Sequence, residues 1–187
     1  MRPLLVVVVL LLSLHVALGV LVHRHPEPGI DRWAFDVLDE IRTPTGVDVV
    51  RKVTYLGALP VVAIVVALGA LYAYRTDRAA TGLALIVAFL LTVALVTLTK
   101  TLWDRPRPDD LLARVSSQSY PSGHSAYAVM WIAAAALTRR RAVIAAAAVV
   151  AIAIGLSRLY LHVHYLTDVM GGAALSAAIL IIALRRV

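Results

Sequence analysis

The sequence predicts an all-α, polytopic membrane protein with six transmembrane helices, and three observations predict it. Of 187 residues, 61% are hydrophobic, with a mean hydropathy of +0.86, beyond the range of a soluble domain of this size. Six apolar runs approach the roughly 20 residues that a helix needs to cross a bilayer. Basic residues close these runs instead of gathering in one patch. A formal charge of +7 would raise nucleic acid as a partner of a soluble chain. Interleaved with apolar runs, it indicates membrane topology and anion binding, with no nucleic acid. The absence of cysteine excludes disulfides, thiol nucleophiles and thiolate metal sites.

The elements form a single domain over residues 1–187. The first span, residues 4–22, is free of charge. A cleaved signal peptide is the competing reading, with Ala17 and Gly19 as the small residues of a cleavage site. The long apolar core and the lone Arg2 before it favour a span. Residues 26–54 follow. Ile30, Trp33, Ala34, Val37, Leu38 and Ile41 fall at helical spacing, with Asp31, Arg32, Asp36, Asp39 and Glu40 between them. This predicts an amphipathic helix, either in the membrane interface or packed as a solvated loop helix on the bundle. Pro44 is expected to end it.

The second span, residues 55–74, is closed by Arg75. The third, 79–100, ends on Lys100. The fourth, 122–138, is closed by Arg139, Arg140 and Arg141; the fifth, 142–160, carries Arg158 near its end; the sixth, 165–184, is closed by Arg185 and Arg186. The last three runs reach full length only by including Pro121 to Gly123, Leu159 to Tyr160, and Tyr165 to Asp168. Arg158, His164 and Asp168 are therefore expected near the hydrocarbon boundary, where ionisable groups are costly and signal function.

Three polar motifs interrupt the apolar sequence. Lys100 and Arg107-Pro108 frame the exit of span three; Pro121-Ser122-Gly123-His124 opens span four; Ser157-Arg158, His164 and Asp168 link spans five and six. Two crossings separate the two loops that hold them, so all three motifs face one side. On the other side lie Arg2, Arg75, Arg78, Arg139 to Arg141, Arg185 and Arg186, in very short segments. The positive-inside rule then puts those turns in the cytoplasm and the motifs outside, in a plasma or inner membrane.

The residue types suit phosphate chemistry. Lys100 supplies a point charge, and Arg107 a planar fork that can grip two phosphate oxygens. Each alone would equally be the basic flank of a spanning helix. Ser122 is a good N-cap, the free N–H groups at a helix start bind anions, and Gly123 lets a ligand come close. His124 can give or take a proton near neutral pH; alone, the motif would be only a turn that starts a helix. Four residues apart on a helix, His164 and Asp168 are neighbours. Asp168 can hold the His164 ring in one tautomer while His164 attacks phosphorus. His162 competes for that role but has Leu166, not an acid, four residues on. A metal held by His162, His164 and Asp168 is disfavoured, because Lys100, Arg107 and Arg158 would repel it and already supply its charge; no metal or cofactor is expected.

Taken together, these motifs resemble those of the type 2 phosphatidic acid phosphatase superfamily. Lys100, Arg107, Pro108, Pro121, Ser122, Gly123, His124, Ser157, Arg158, His164 and Asp168 meet every motif position. The resemblance implies a metal-free mechanism. His164 would form a phosphohistidine, His124 would protonate the leaving oxygen, and Asp168 would orient His164. Lys100, Arg107, Arg158, the Ser122 side chain and the Gly123 N–H would bind phosphoryl oxygens, and water would cleave the intermediate. With six spans, the expected substrate is a lipid phosphate or pyrophosphate: polyprenyl (undecaprenyl) pyrophosphate, phosphatidylglycerol phosphate or phosphatidate. The alternatives are a lipid phosphotransferase and a non-catalytic transporter or scaffold of the same fold.

Overall fold

A computed structural model describes residues 2–115 and 117–185, and for Arg2 the backbone alone. Arg186, counted above among the cytoplasmic cations, lies outside the described residues. All regular structure among them is helical. The helices are α1 (Arg2–Arg24), α2 (Gly29–Asp39), α3 (Pro44–Thr54), α4 (Leu59–Arg75), α5 (Ala79–Trp103), α6 (Gly123–Ala136), α7 (Arg141–Tyr160) and α8 (Leu166–Leu184), with a 3₁₀ turn at Tyr55–Gly57 between α3 and α4.

Four described helices, α1, α5, α7 and α8, are each long and apolar enough to cross a membrane. The α3 to α4 stretch makes a fifth candidate, broken at Ala58 with a bend of 46°. α6 has only 14 residues, or about 21 Å at 1.5 Å per residue, shorter than the expected run of 122–138. Val6, Leu10, Ile64, Leu68, Leu83, Leu90, Val149 and Ile152 are exposed on the outer faces, which suits contact with lipid. The sequence runs in these helices are apolar all round because some faces meet lipid and others meet neighbouring helices.

α8 is the central helix, packed against α1, α5 and α6. Its small residues explain why. A Cβ on Gly172 would lie 2.3 Å from the Ser122 carbonyl oxygen, and one on Gly171 2.2 Å from the Tyr120 hydroxyl. The chain leading into α6 therefore rests directly on the α8 backbone. Val62, Val66, Leu85, Phe89, Met130 and Leu175 fill the interior between α4, α5, α6 and α8. α1 is built into this bundle: its buried His15 approaches the Gly171 carbonyl with Nδ1 at 3.0 Å, and the His15 carbonyl accepts from the Tyr120 hydroxyl at 2.5 Å.

The segment between α1 and α4 departs from expectation. Pro44 does not end a helix. α2 stops at Asp39, and Pro44 opens α3 as its first residue, with the Thr43 hydroxyl accepting from Gly46 N–H at 3.0 Å. The missing N–H of proline costs nothing at that position. One residue of α2 also faces the unexpected way. Ile30, Trp33, Val37 and Ile41 are exposed, whereas Asp31 is fully buried. A tertiary charge partner overrides the amphipathic pattern at this residue.

Candidate active site

The site forms at the end of the bundle where α5, α7 and the starts of α6 and α8 meet. α5 ends when Asp104 adopts a left-handed conformation, φ 44°. Among the described residues, the chain then has no regular structure up to Ser122, which caps α6 by accepting from Ser125 N–H at 3.3 Å. Ser122 N–H in turn donates to the Asp168 carbonyl at 3.0 Å, which joins the second motif to the third.

His164 sits in the short link between α7 and α8 and is 2% exposed. Its Nδ1 lies 3.2 Å from Asp168 Oδ2, and its Nε2 3.2 Å from the Arg107 guanidinium. Arginine has no acceptor. Nε2 must therefore carry the lone pair, and Nδ1 the proton given to Asp168. Burial holds the His164 imidazole well below the usual histidine range, with Asp168 pulling the other way and Arg107 and Arg158 adding to the fall. The result is a neutral ring with a fixed tautomer and an available lone pair.

Asp168 is saturated as an acceptor. Oδ2 takes Ser119 Oγ at 2.5 Å, Tyr165 N–H at 3.0 Å and the His164 ring; Oδ1 takes Arg105 at 2.6 Å. As the N3 residue of α8, Asp168 closes a capping box with the Tyr165 backbone, so the helix start and the carboxylate orientation are one feature.

The cations surround this pair. Arg107 donates to the Ser117 carbonyl at 2.6 Å and also to the carbonyl of Val163. Lys100 Nζ reaches the Gln118 and Ser119 carbonyls, the latter at 3.2 Å. Arg158 is 4% exposed and donates to Thr54 Oγ1 at 2.6 Å. Its Nε is buried with no protein partner. None of the three forms an ion pair with a carboxylate among the described residues. One buried and two half-buried cations without counter-charges call for an anion. At the start of α6, the N–H groups of Gly123 and His124 make no backbone hydrogen bond among the described residues, as expected of an anion-accepting helix start. His124 is packed against Gly57, where a Cβ would come within 3.2 Å of its ring.

His162 is placed differently. Its Nε2 meets Asp39 of α2 at 2.9 Å, its ring stacks near Phe35 at 4.2 Å, and its backbone is left-handed at φ 52°. It does have an acid partner, supplied by α2 rather than by α8. Because His162 pairs with Asp39 and His164 with Asp168, these residues do not converge as a metal-binding trio, and no group of three metal-ligating side chains gathers among the described residues.

The family model of the PAP2 superfamily matches residues 81–187. The chain belongs to the PAP2 superfamily. Phosphatidylglycerophosphatase B of Bacillus subtilis (strain 168) is 35% identical over 72% of this chain and 72% of its own length. The crystal structure of a transmembrane PAP2 type phosphatidylglycerolphosphate phosphatase from Bacillus subtilis superposes with a TM-score of 0.80 at 29% identity, covering 94% of this chain and 93% of that one. That of Aquifex aeolicus LpxE superposes at 0.71 and 27% identity, covering 85% and 97%. The chain is thus a phosphatase of the PAP2 superfamily and a multi-pass membrane protein.

Sequence reasoning missed four side chains that hold this PAP2 site together: Arg105, Asp31, Ser119 and Thr54. Arg105 lies between Lys100 and Arg107 and matches no motif position, and Asp31 read as part of a polar helix face. No spacing rule links residue 31 to residue 105 or 54 to 158; the contacts are tertiary.

Proposed function

We propose that this PAP2 phosphatase hydrolyses a membrane lipid phosphate or pyrophosphate without a metal, through a phosphohistidine at His164. The observation that carries the reading is the clamp on His164. Asp168 accepts a hydrogen bond from Nδ1–H while Arg107 faces the Nε2 lone pair, so the ring is already in the tautomer that attacks phosphorus. A phosphoryl group bound against Arg107 would sit beside that lone pair.

In the first step Nε2 bonds to phosphorus, and the bond to the leaving oxygen breaks with its electrons on that oxygen. His124 gives the oxygen a proton. Asp168 stabilises the positive ring that forms. Lys100, Arg107, Arg158, the Gly123 N–H and the Ser122 side chain hold the phosphoryl oxygens as charge spreads over them, which is where most of the rate enhancement in phosphoryl transfer arises. In the second step water attacks the phosphohistidine, His124 takes its proton, and inorganic phosphate leaves with His164 restored.

The lipid class follows from the site's setting. Apolar helices surround a polar end, and the relatives include a phosphatidylglycerophosphatase. Polyprenyl pyrophosphate, phosphatidylglycerol phosphate and phosphatidate are the candidate substrates. We read residues 1–187 as one integral-membrane domain with spans at 4–22, 55–74, 79–100, 122–138, 142–160 and 165–184. α6 is short because it begins at the site itself, below the surface. α2 lies in the interface with Trp33 and Ile41 outward, and the site faces the extracytoplasmic side.

The test is a phosphate-release panel over these lipids in detergent, with EDTA present. Release of phosphate that survives chelation is expected. Loss on chelation with recovery on added metal would refute the metal-free route, and turnover only with an added alcohol acceptor would make the chain a phosphotransferase.

A further inference from the structure

We infer that Arg105 and Asp31 form a positioning pair for Asp168, so that α2 sets the orientation of the carboxylate behind the nucleophile. The inference rests on the reading of His164 and Asp168 given under Proposed function. It assigns a role to an element that precedes the stretch matched by the family model, residues 81–187.

Arg105 is the most completely used cation among the described residues. Its guanidinium has five N–H donors, and all five are engaged. One terminal nitrogen donates to Thr167 Oγ1 at 2.8 Å and to Asp168 Oδ1 at 2.6 Å. The other donates to Asp31 Oδ2 at 2.7 Å and to the Pro26 carbonyl, which also accepts from Nε at 3.0 Å. Its face lies 3.7 Å from the Tyr165 ring centre. Nothing remains for a substrate. Arg158, with Nε unpartnered, is the opposite case. Arg105 therefore acts on the protein and not on phosphate.

What it acts on is the rotation of Asp168. The side chains of Arg105, Asp31 and Asp168 all have 0% exposure. Ser119 and the Tyr165 N–H hold Oδ2 of Asp168 toward His164, and Arg105 holds Oδ1, the other end of the carboxylate. If the carboxylate turned about its Cβ–Cγ bond, His164 would lose the acceptor that sets its tautomer. The other edge of the guanidinium is held by Asp31 and the Pro26 carbonyl, and Asp31 also accepts from Thr167 N–H at 2.9 Å and Thr167 Oγ1 at 2.7 Å. Asp31 thus fastens α2 to the first turn of α8 and fixes the second edge of the guanidinium. One cation shared between two buried carboxylates is stable only as a set.

A double-mutant cycle on phosphate release tests this. Arg105→Met should lower kcat by roughly 10- to 100-fold, the span of coupling seen within one buried network, with KM within about threefold, since ground-state binding is untouched. In the Asp168→Asn background the same change should cost less than about threefold, because the residue it positions has already been disabled. Asp31→Asn, which keeps the volume, runs the same cycle where Arg105→Met is not recovered folded. Additive losses in both backgrounds would overturn the inference, as would a rise in KM with kcat unchanged. If Asp168→Asn alone left kcat intact, the failure would lie in the reading of the catalytic centre instead.

Discussion

Arg158→Met should make the empty protein more heat-resistant and remove most of its response to a phosphate analogue. Arg158 is 4% exposed, keeps a single hydrogen bond to Thr54 and leaves Nε buried without a partner. Replacing buried ion pairs by apolar side chains of similar volume gains up to about 1–4 kcal/mol, and a buried charge without a partner has still less to offset its desolvation. The Thr54 hydroxyl loses its partner, which costs about 1 kcal/mol. The net gain of up to about 3 kcal/mol corresponds to a rise of up to about 6–12 °C in melting temperature, at about 2–4 °C per kcal/mol for a chain of this length. Orthovanadate at 100 times its Kd should add about 2.7 kcal/mol to the wild type, a rise of about 5–10 °C. Losing the charge-assisted contacts of Arg158 weakens vanadate by about 1.5–3 kcal/mol. At the same concentration the variant then gains only about 0.3–1.3 kcal/mol. Tryptophan fluorescence, scanned in detergent at one fixed rate with and without vanadate, reads both effects; the fixed rate matters where unfolding is irreversible. A variant that melts below the wild type and keeps the full vanadate shift would refute the view of Arg158 as a cation waiting for an anion.

Three further outcomes follow from the same geometry. His164→Ala should abolish phosphate release and leave a folded, membrane-inserted protein, while His162→Ala should keep turnover; a dead His162→Ala with an active His164→Ala would reverse the assignment of the nucleophile. Burial keeps His164 neutral below its ordinary value, so the attacking form persists as pH falls. The acid limb of phosphoenzyme formation should lie below about pH 6.5, the value of a free histidine, and a half-maximal rate at or above that pH would contradict it. In this cysteine-free chain, a cysteine at Ser117 should react with an impermeant thiol reagent on intact cells and one at Thr76 should not. The opposite pattern would place the site in the cytoplasm.

The residues of the candidate site were legible in the sequence because phosphate chemistry needs particular side chains at fixed local spacing. His164 and Asp168 are one helical turn apart, and the structure joins them at 3.2 Å. Ser122 caps α6 as its type and place implied. Apolar runs mark helices because a chain in lipid must satisfy its backbone internally, so α1, α5, α7 and α8 follow the expected runs closely. The tertiary structure alone decided the rest. Whether Pro44 ends a helix or begins one depends on the backbone before it, and proline suits both. Whether Asp31 faces water or the interior depends on Arg105, 74 residues away, and a buried carboxylate is tolerated only where a cation meets it. Local spacing determines which groups a helix presents together; which distant charges hold those groups still is settled only when the helices pack.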